Sequence, residues 1–147
     1  PLSGKVIALS EIDDPVFAGG AMGNGIAIKP SDNKVYAPLD GTVEFVADSK
    51  HAVGIKSDDG VELLIHVGMD TVQMNGKGFD VKVNANDKVK AGDLLLEFDR
   101  EVIEKAGYSL ITPVVITNSF EFEQKELCLD EDISYGKSII NLSVVNA

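Results

Sequence analysis

Residues 51–66 read His51-Ala52-Val53-Gly54-Ile55-Lys56-Ser57-Asp58-Asp59-Gly60-Val61-Glu62-Leu63-Leu64-Ile65-His66. Two aliphatic, β-branched runs flank an Asp-Asp-Gly turn signal, which is the pattern of a β-hairpin. The chain's two histidines stand at the ends of this segment, fifteen residues apart. In an antiparallel pair the turn decides which residues oppose one another. With Asp58-Asp59 as the loop, Ser57 pairs with Gly60 and His51 falls directly opposite His66. With Asp59-Gly60 as the loop the rings lie diagonally on one face, still neighbours. A three-residue loop would put them on opposite faces. Two of the three registers unite the histidines, and that pairing is the expectation.

The same punctuation continues outward. Asn24-Gly25, Asp40-Gly41, Asn75-Gly76 and Gly92-Asp93 separate short Val- and Ile-rich runs such as Lys5-Val6-Ile7-Ala8 and Gly41-Thr42-Val43-Glu44-Phe45-Val46. Short strands between turn signals predict an all-β fold, an antiparallel β-sandwich or barrel-like structure. Pro1-Leu2-Ser3-Gly4-Lys5-Val6 is echoed by Pro38-Leu39-Asp40-Gly41-Thr42-Val43, which suits a duplicated β motif. One segment departs from the pattern: Asp99 as N-cap, Glu101 in the first turn and Gly107 as terminator predict a short helix over 99–107. Residues 113–117 and 138–144 return to strand, the latter closing the sheet near the C-terminus. No Pro-rich or low-complexity linker divides the chain, so residues 1–147 are expected to form a single domain.

Composition bounds the partners. The chain has 147 residues, 44% apolar and 25% charged, enough for an ordinary globular core. Twenty-four acidic residues against 13 basic ones leave a net charge of −11. Phosphate-backbone affinity needs clustered Lys and Arg, so no nucleic-acid partner is expected, and a basic protein partner is. The lone Cys128 excludes an internal disulfide and reads as a small buried hydrophobe. No signal peptide is visible, and no run approaches the roughly 20 apolar residues of a membrane helix, so a soluble chain without direct membrane insertion is expected. It begins at Pro1 rather than Met, as a trimmed chain or a domain cut from a longer one would.

Familiar catalytic motifs are missing. Gly19, Gly20, Gly23 and Gly25 do not match a dinucleotide fingerprint, no phosphate loop or Gly-x-Ser-x-Gly elbow occurs, and no histidine follows Cys128. The histidine pair is what remains. Two adjacent imidazoles can bind a metal, exchange protons or carry a phosphoryl group, one as nucleophile and the other as electrostatic partner. A catalytic zinc usually needs three protein ligands, and no His-x-His or His-Glu-x-x-His pattern supplies them.

The segment Ile65-His66-Val67-Gly68-Met69-Asp70-Thr71-Val72 resembles the active-site signature of the glucose-type IIA domain of the bacterial phosphoenolpyruvate-dependent sugar phosphotransferase system. The resemblance covers nearly the whole chain, in order and spacing. It takes in Asp14-Pro15-Val16-Phe17-Ala18, Met22-Gly23-Asn24-Gly25, Lys50-His51-Ala52, Asn75-Gly76-Lys77-Gly78-Phe79, Glu97-Phe98-Asp99 and Thr112-Pro113-Val114-Val115. It implies a β-sandwich phosphotransferase component, a histidine phosphocarrier rather than an autonomous turnover enzyme. His66 matches the histidine phosphorylated on Nε2 by the phosphocarrier HPr, from which the group passes to a cysteine of the IIB domain and on to sugar. His51 matches the second active-site histidine, which serves onward transfer more than acceptance. A hydrogen bond holding the Nδ1 proton of His66 would leave the attacking lone pair on Nε2, and backbone N–H groups near Gly68 are candidate donors to the phosphoryl group.

By the same resemblance, Asp14 and Asp70 flank the histidines, repelling the phosphorylated state and attracting basic partners. Phe17, Met22, Leu64 and Val72 match an apolar docking ring. Ser49 stands where many relatives have threonine and keeps a hydroxyl for a hydrogen bond near the histidines. Ala47 and Val53 stand where some relatives have bulkier aromatic residues. Some relatives also regulate transporters or enzymes, with zinc shared between the two histidines and a partner carboxylate; the domain itself requires no cofactor. A cytoplasmic site, or the cytoplasmic membrane face if fused to a permease, follows from the family. Two other readings stay open: a zinc metallopeptidase, which lacks a third ligand, and a lipoyl- or biotinyl-type carrier around Val89-Lys90-Ala91-Gly92-Asp93, which lacks a Met-Lys-Met motif.

Overall fold

The computed structural model describes residues 4–12, 24–58, 60–118, 122–127, 132–133 and 140–144. Strands β1 (Gly4–Ala8), β2 (Asn24–Pro30), β4 (Gly41–Val46), β5 (Ala52–Ser57), β6 (Glu62–His66), β8 (Lys88–Val89), β10 (Thr112–Ile116) and β12 (Asp132–Ile133) form an eight-stranded sheet. Its order is β12-β1-β2-β10-β6-β5-β4-β8. β3 (Lys34–Tyr36), β7 (Phe79–Val81) and β9 (Leu94–Phe98) form a second sheet in the order β3-β9-β7. All described strand pairs are antiparallel, as expected for the sandwich.

The main core lies between these two sheets. Val6, Ile26, Ile28, Val53, Ile55, Ile65 and Val114 from the large sheet meet Val35, Phe79, Leu95, Leu96 and Phe98 from the small one. Strand alternation sends the intervening residues to the opposite face. There Ile7, Ala27, Ala52, Leu64 and Val115 form a second buried cluster, covered by Leu9 and Ile12 of the 3-10 turn Leu9–Glu11 and its end. The central strands are therefore buried on both faces, which explains why Leu63-Leu64-Ile65 and Val114-Val115-Ile116 are continuous apolar runs rather than alternating ones.

The echo between the two strand entries has a physical cause. A Cβ on Gly4 would lie 2.1 Å from the Lys29 carbonyl oxygen, and one on Gly41 would lie 2.3 Å from that of Lys56. At both starts a neighbouring strand's backbone occupies the side-chain position, so only glycine fits.

The expected helix is α1 (Arg100–Lys105). Asp99 caps it, accepting from the N–H groups of Glu101 (3.0 Å) and Val102 (3.3 Å), and Ile103 plugs it into the main core. The C-terminal expectation needs correcting. Ile140–Val144, here β13, does not close the large sheet but pairs with β11 (Phe122–Leu127), while β12 takes the edge beside β1. The edge of β1 is already paired, and a nearby strand in sequence is reached at a smaller loop-closure cost.

Ile65 is fully buried in the central strand β6. Ile65→Ala is expected to lower unfolding free energy by about 2–5 kcal/mol. Val72→Ala, on an exposed turn, should change it by less than about 0.5 kcal/mol. Urea denaturation of the two variants checks the contrast.

Candidate histidine site

Strands β5 and β6 form the predicted hairpin, but in the register that alternation alone disfavours for a histidine pair. Ala52 opposes His66, Gly54 opposes Leu64 and Lys56 opposes Glu62, so three residues connect Ser57 to Val61. The expected two-residue loop is thus corrected. Gly60 adopts φ +93°, its N–H donates to the Ser57 carbonyl at 3.0 Å, and the Ser57 hydroxyl accepts from Val61 N–H at 2.9 Å. This is the arrangement of a turn followed by a left-handed glycine, for which the third loop position is the natural place. Buried Asn118, just beyond β10, clamps it: its Oδ1 accepts from Glu62 N–H and its Nδ2 donates to Gly60 O, both at 2.9 Å.

Even in this register the imidazoles meet, with ring centroids 4.6 Å apart and planes at 81°. Alternation fails to separate them because His51 is not a strand residue. It occupies the bend between β4 and β5, where Lys50 takes a left-handed φ of +63° and donates its N–H to Ala47 O at 2.8 Å. The ladder's parity begins at Ala52, so the His51 ring is placed by the bend and not by the strand.

His66 ends β6 on the face of Leu64 and Ala52. Its Nδ1 lies 2.8 Å from the Gly68 carbonyl oxygen. A carbonyl only accepts, so Nδ1 carries the proton and the lone pair of the neutral ring is on Nε2. Gly68 reaches this position with φ +76°.

His51 is 6% exposed, and its Nδ1 is buried with no hydrogen-bond partner. Burial, then the charge of a protonated His66, push its pKa down from 6.5 to about 4, against an upward pull from the Ser49 backbone. His51 is therefore neutral at pH 7. Ser49, in the same bend, acts on His51 through its backbone.

The remaining expected residues divide. Val72 is 50% exposed on the 3-10 turn Thr71–Met74. Asp70 precedes that turn at φ +60°, exposed, and its side chain makes no capping bond. Leu64, offered as a docking residue, is only 6% exposed and forms part of the floor with Ala52, Ala47 and Met69. Asp14, Phe17, Met22 and Cys128 lie outside the described residues. Among the described residues no group of three His, Cys, Asp or Glu could hold a metal ion, so the two imidazoles would need an outside ligand to complete a zinc site.

Three residues near the site carry no signal that alternation could read. Phe45 would join Val43 inside by parity, but a bulge between them turns its ring outward over Gly54, leaving it 46% exposed on the histidine face. Asn118 acts across 58 residues of sequence. Thr71 lies within the signature, but only the tertiary structure shows what its hydroxyl touches.

The family model for the phosphoenolpyruvate-dependent sugar phosphotransferase system, EIIA 1, matches residues 1–122. The chain is 47% identical over 123 residues to a glucose-specific EIIA component of Staphylococcus epidermidis, covering 84% of this chain and 74% of that protein. It is 52% identical over 146 residues to a mannose-specific EIIBCA component of Corynebacterium glutamicum, covering 99% of this chain and 21% of that protein. It spans about a fifth of the length of such EIIBCA relatives, which include a β-glucoside-specific component of Dickeya chrysanthemi at 20%. The solved structure of glucose permease IIA from Mycoplasma capricolum superposes with TM-score 0.90 at 34% identity, over 95% of this chain and 90% of that one.

The depressed proton affinity of His51 has a sign that can be tested. An unfolded histidine titrates near 6.5 and folded His51 near 4, so between these values the unfolded chain binds a proton that the folded chain refuses. Stability present above pH 6.5 should therefore decline as pH falls towards 4. His51→Gln should flatten that part of the profile, read from urea midpoints between pH 4 and 8.

Proposed function

This chain belongs to the phosphoenolpyruvate-dependent sugar phosphotransferase system EIIA 1 family, and we propose that its His66 is the phosphoryl acceptor, charged by phospho-HPr and discharged to a IIB-domain cysteine. The observation that carries the reading is the Nδ1 to Gly68 O bond, which leaves the lone pair of the neutral ring on Nε2, with a neutral second imidazole beside it. A neutral ring can attack phosphorus without first losing a proton. The N–P bond of the donor breaks as the bond to Nε2 forms, and the proton stays on Nδ1, donated in a hydrogen bond to Gly68 O. Phosphoryl transfer needs positioning and charge stabilisation more than covalent machinery, which suits a shallow site of backbone and imidazole groups.

His51 supplies the second half. Its unpartnered Nδ1 and low proton affinity reflect burial in the unphosphorylated state. A dianionic phosphoryl group on His66 replaces repulsion with attraction and offers acceptor oxygens, so His51 gains a hydrogen-bond partner and takes up a proton more readily. Asp70, together with Asp14, opposes accumulation of that negative charge and keeps the group transferable.

The remaining assignments follow from the same membership. An acidic surface of net charge −11 fits a basic donor, and the fusion of similar domains to EIIB and EIIC segments in the relatives supports a IIB acceptor. Val72 and Asp70, both exposed, serve partner docking, and the family resemblance assigns Phe17 and Met22 to the same role. Regulated transporters or enzymes are secondary partners of the same face. A zinc ion, where a partner supplies a carboxylate, would be held by His51 and His66 as a structural bridge. Residues 1–147 act as one domain in the cytoplasm or at the cytoplasmic membrane face; among the described residues no helix is long and apolar enough to cross a membrane.

Intact mass after incubation with phosphoenolpyruvate, the general phosphotransfer kinase and HPr tests the reading. Wild type should gain one acid-labile, alkali-stable phosphoryl group and His66→Ala none. His51→Ala should still be labelled but donate to IIB about 10²-fold more slowly, the scale of losing one preorganised donor. An unlabelled wild type with active controls overturns the assignment.

A further inference from the structure

We propose that Thr71 is a positioning residue for the phosphoryl acceptor, holding the Val67–Gly68–Met69 backbone so that His66 is locked as its Nδ1–H tautomer. The proposal rests on His66 being the acceptor. Thr71 is fully buried, and both branches of its side chain are used. Its hydroxyl donates to the Val67 carbonyl. Its methyl group packs against Gly68, where an added Cβ would come within 2.5 Å of it and within 2.7 Å of the Ser109 carbonyl oxygen.

The next peptide is held from the other side. Met69 N–H donates to Ser109 O at 3.1 Å. Because a trans peptide is planar, its N–H and C=O point in opposite directions. Anchoring the Met69 N–H on Ser109 therefore aims the Gly68 carbonyl away from Ser109, towards His66 Nδ1 at 2.8 Å. Thr71 fixes the peptide before Gly68 and Ser109 fixes the one after it. Gly68 itself, at φ +76°, has the widest backbone freedom in the segment, so its carbonyl is the group that most needs outside restraint. Without the Thr71 hydroxyl, Val67 O loses a buried donor and the peptide before Gly68 is free to rotate. The carbonyl then no longer selects one tautomer, and the Nε2 lone pair is lost from part of the population.

The two branches can be separated by substitution. Thr71→Val keeps the shape and removes the hydroxyl; Thr71→Ser keeps the hydroxyl and removes the methyl. Nitrogen-15 NMR of histidine-labelled, unphosphorylated protein at pH 8 reads the His66 tautomer directly. Wild type and Thr71→Ser should show the Nδ1–H form, and Thr71→Val a mixture. The rate of phosphorylation by phospho-HPr should fall about tenfold in Thr71→Val, as expected for a slightly misaligned reacting group, and recover in Thr71→Ser. A folded Thr71→Val with wild-type tautomer and rate overturns the proposal. Should Thr71→Val fail to fold, Thr71→Ser decides, since a tautomer mixture there shows that the hydroxyl does not set the ring. A wild type that takes no phosphoryl group overturns His66 as acceptor instead, and the tautomer comparison still reports whether Thr71 holds the ring.

Discussion

Burial of the large sheet on both faces is the constraint from which the rest follows. A strand with one wet face can slip by two residues at modest cost, but β6 has Leu63 and Ile65 in the main core and Leu64 in the second cluster. Any slip would expose or overpack one side. That double requirement fixes the end of β6 at His66. It leaves His66 at the margin of a rigid element, where its backbone is held and its ring is only half-buried.

Chemistry begins where the ladder stops. Past His66 the chain turns through Gly68 and Asp70, both with positive φ, into the 3-10 turn Thr71–Met74. Ahead of β5 it turns through Lys50, also left-handed, into His51. These two irregular corners share a backbone bond from Val67 N–H to His51 O at 2.8 Å, so the site is one connected corner rather than two loops that happen to touch. Left-handed backbone stores strain, and strain of this kind persists only where the surroundings over-determine it. Here the double-faced sheet supplies that determination.

The electrostatics divide labour between two identical side-chain types. His66 is half-exposed with one nitrogen on a carbonyl, whereas His51 is buried with a nitrogen that has no partner. An unpartnered buried nitrogen is a cost, and the burial that imposes it also keeps the His51 ring neutral.

The all-β class, the capped helix at Asp99 and the histidine hairpin were legible because each depends on local chemistry: turn residues, β-branched runs and caps act over a few positions. The strand-entry glycines were legible as a repeat, although their reason, a neighbouring carbonyl in the place of a Cβ, was not. Tertiary structure alone decided the hairpin register, since Asn118 selects the three-residue loop from the far end of β10. It alone turned Phe45 outward through a bulge, buried Leu64, which the resemblance had assigned to the docking ring, and sent β13 to β11 instead of the main sheet. The union of the histidines shows the division most clearly. The sequence determined that two imidazoles flank one hairpin; their contact came from a left-handed bend outside the strand, because alternation governs only residues within the ladder and the path of a corner is set by what packs against it.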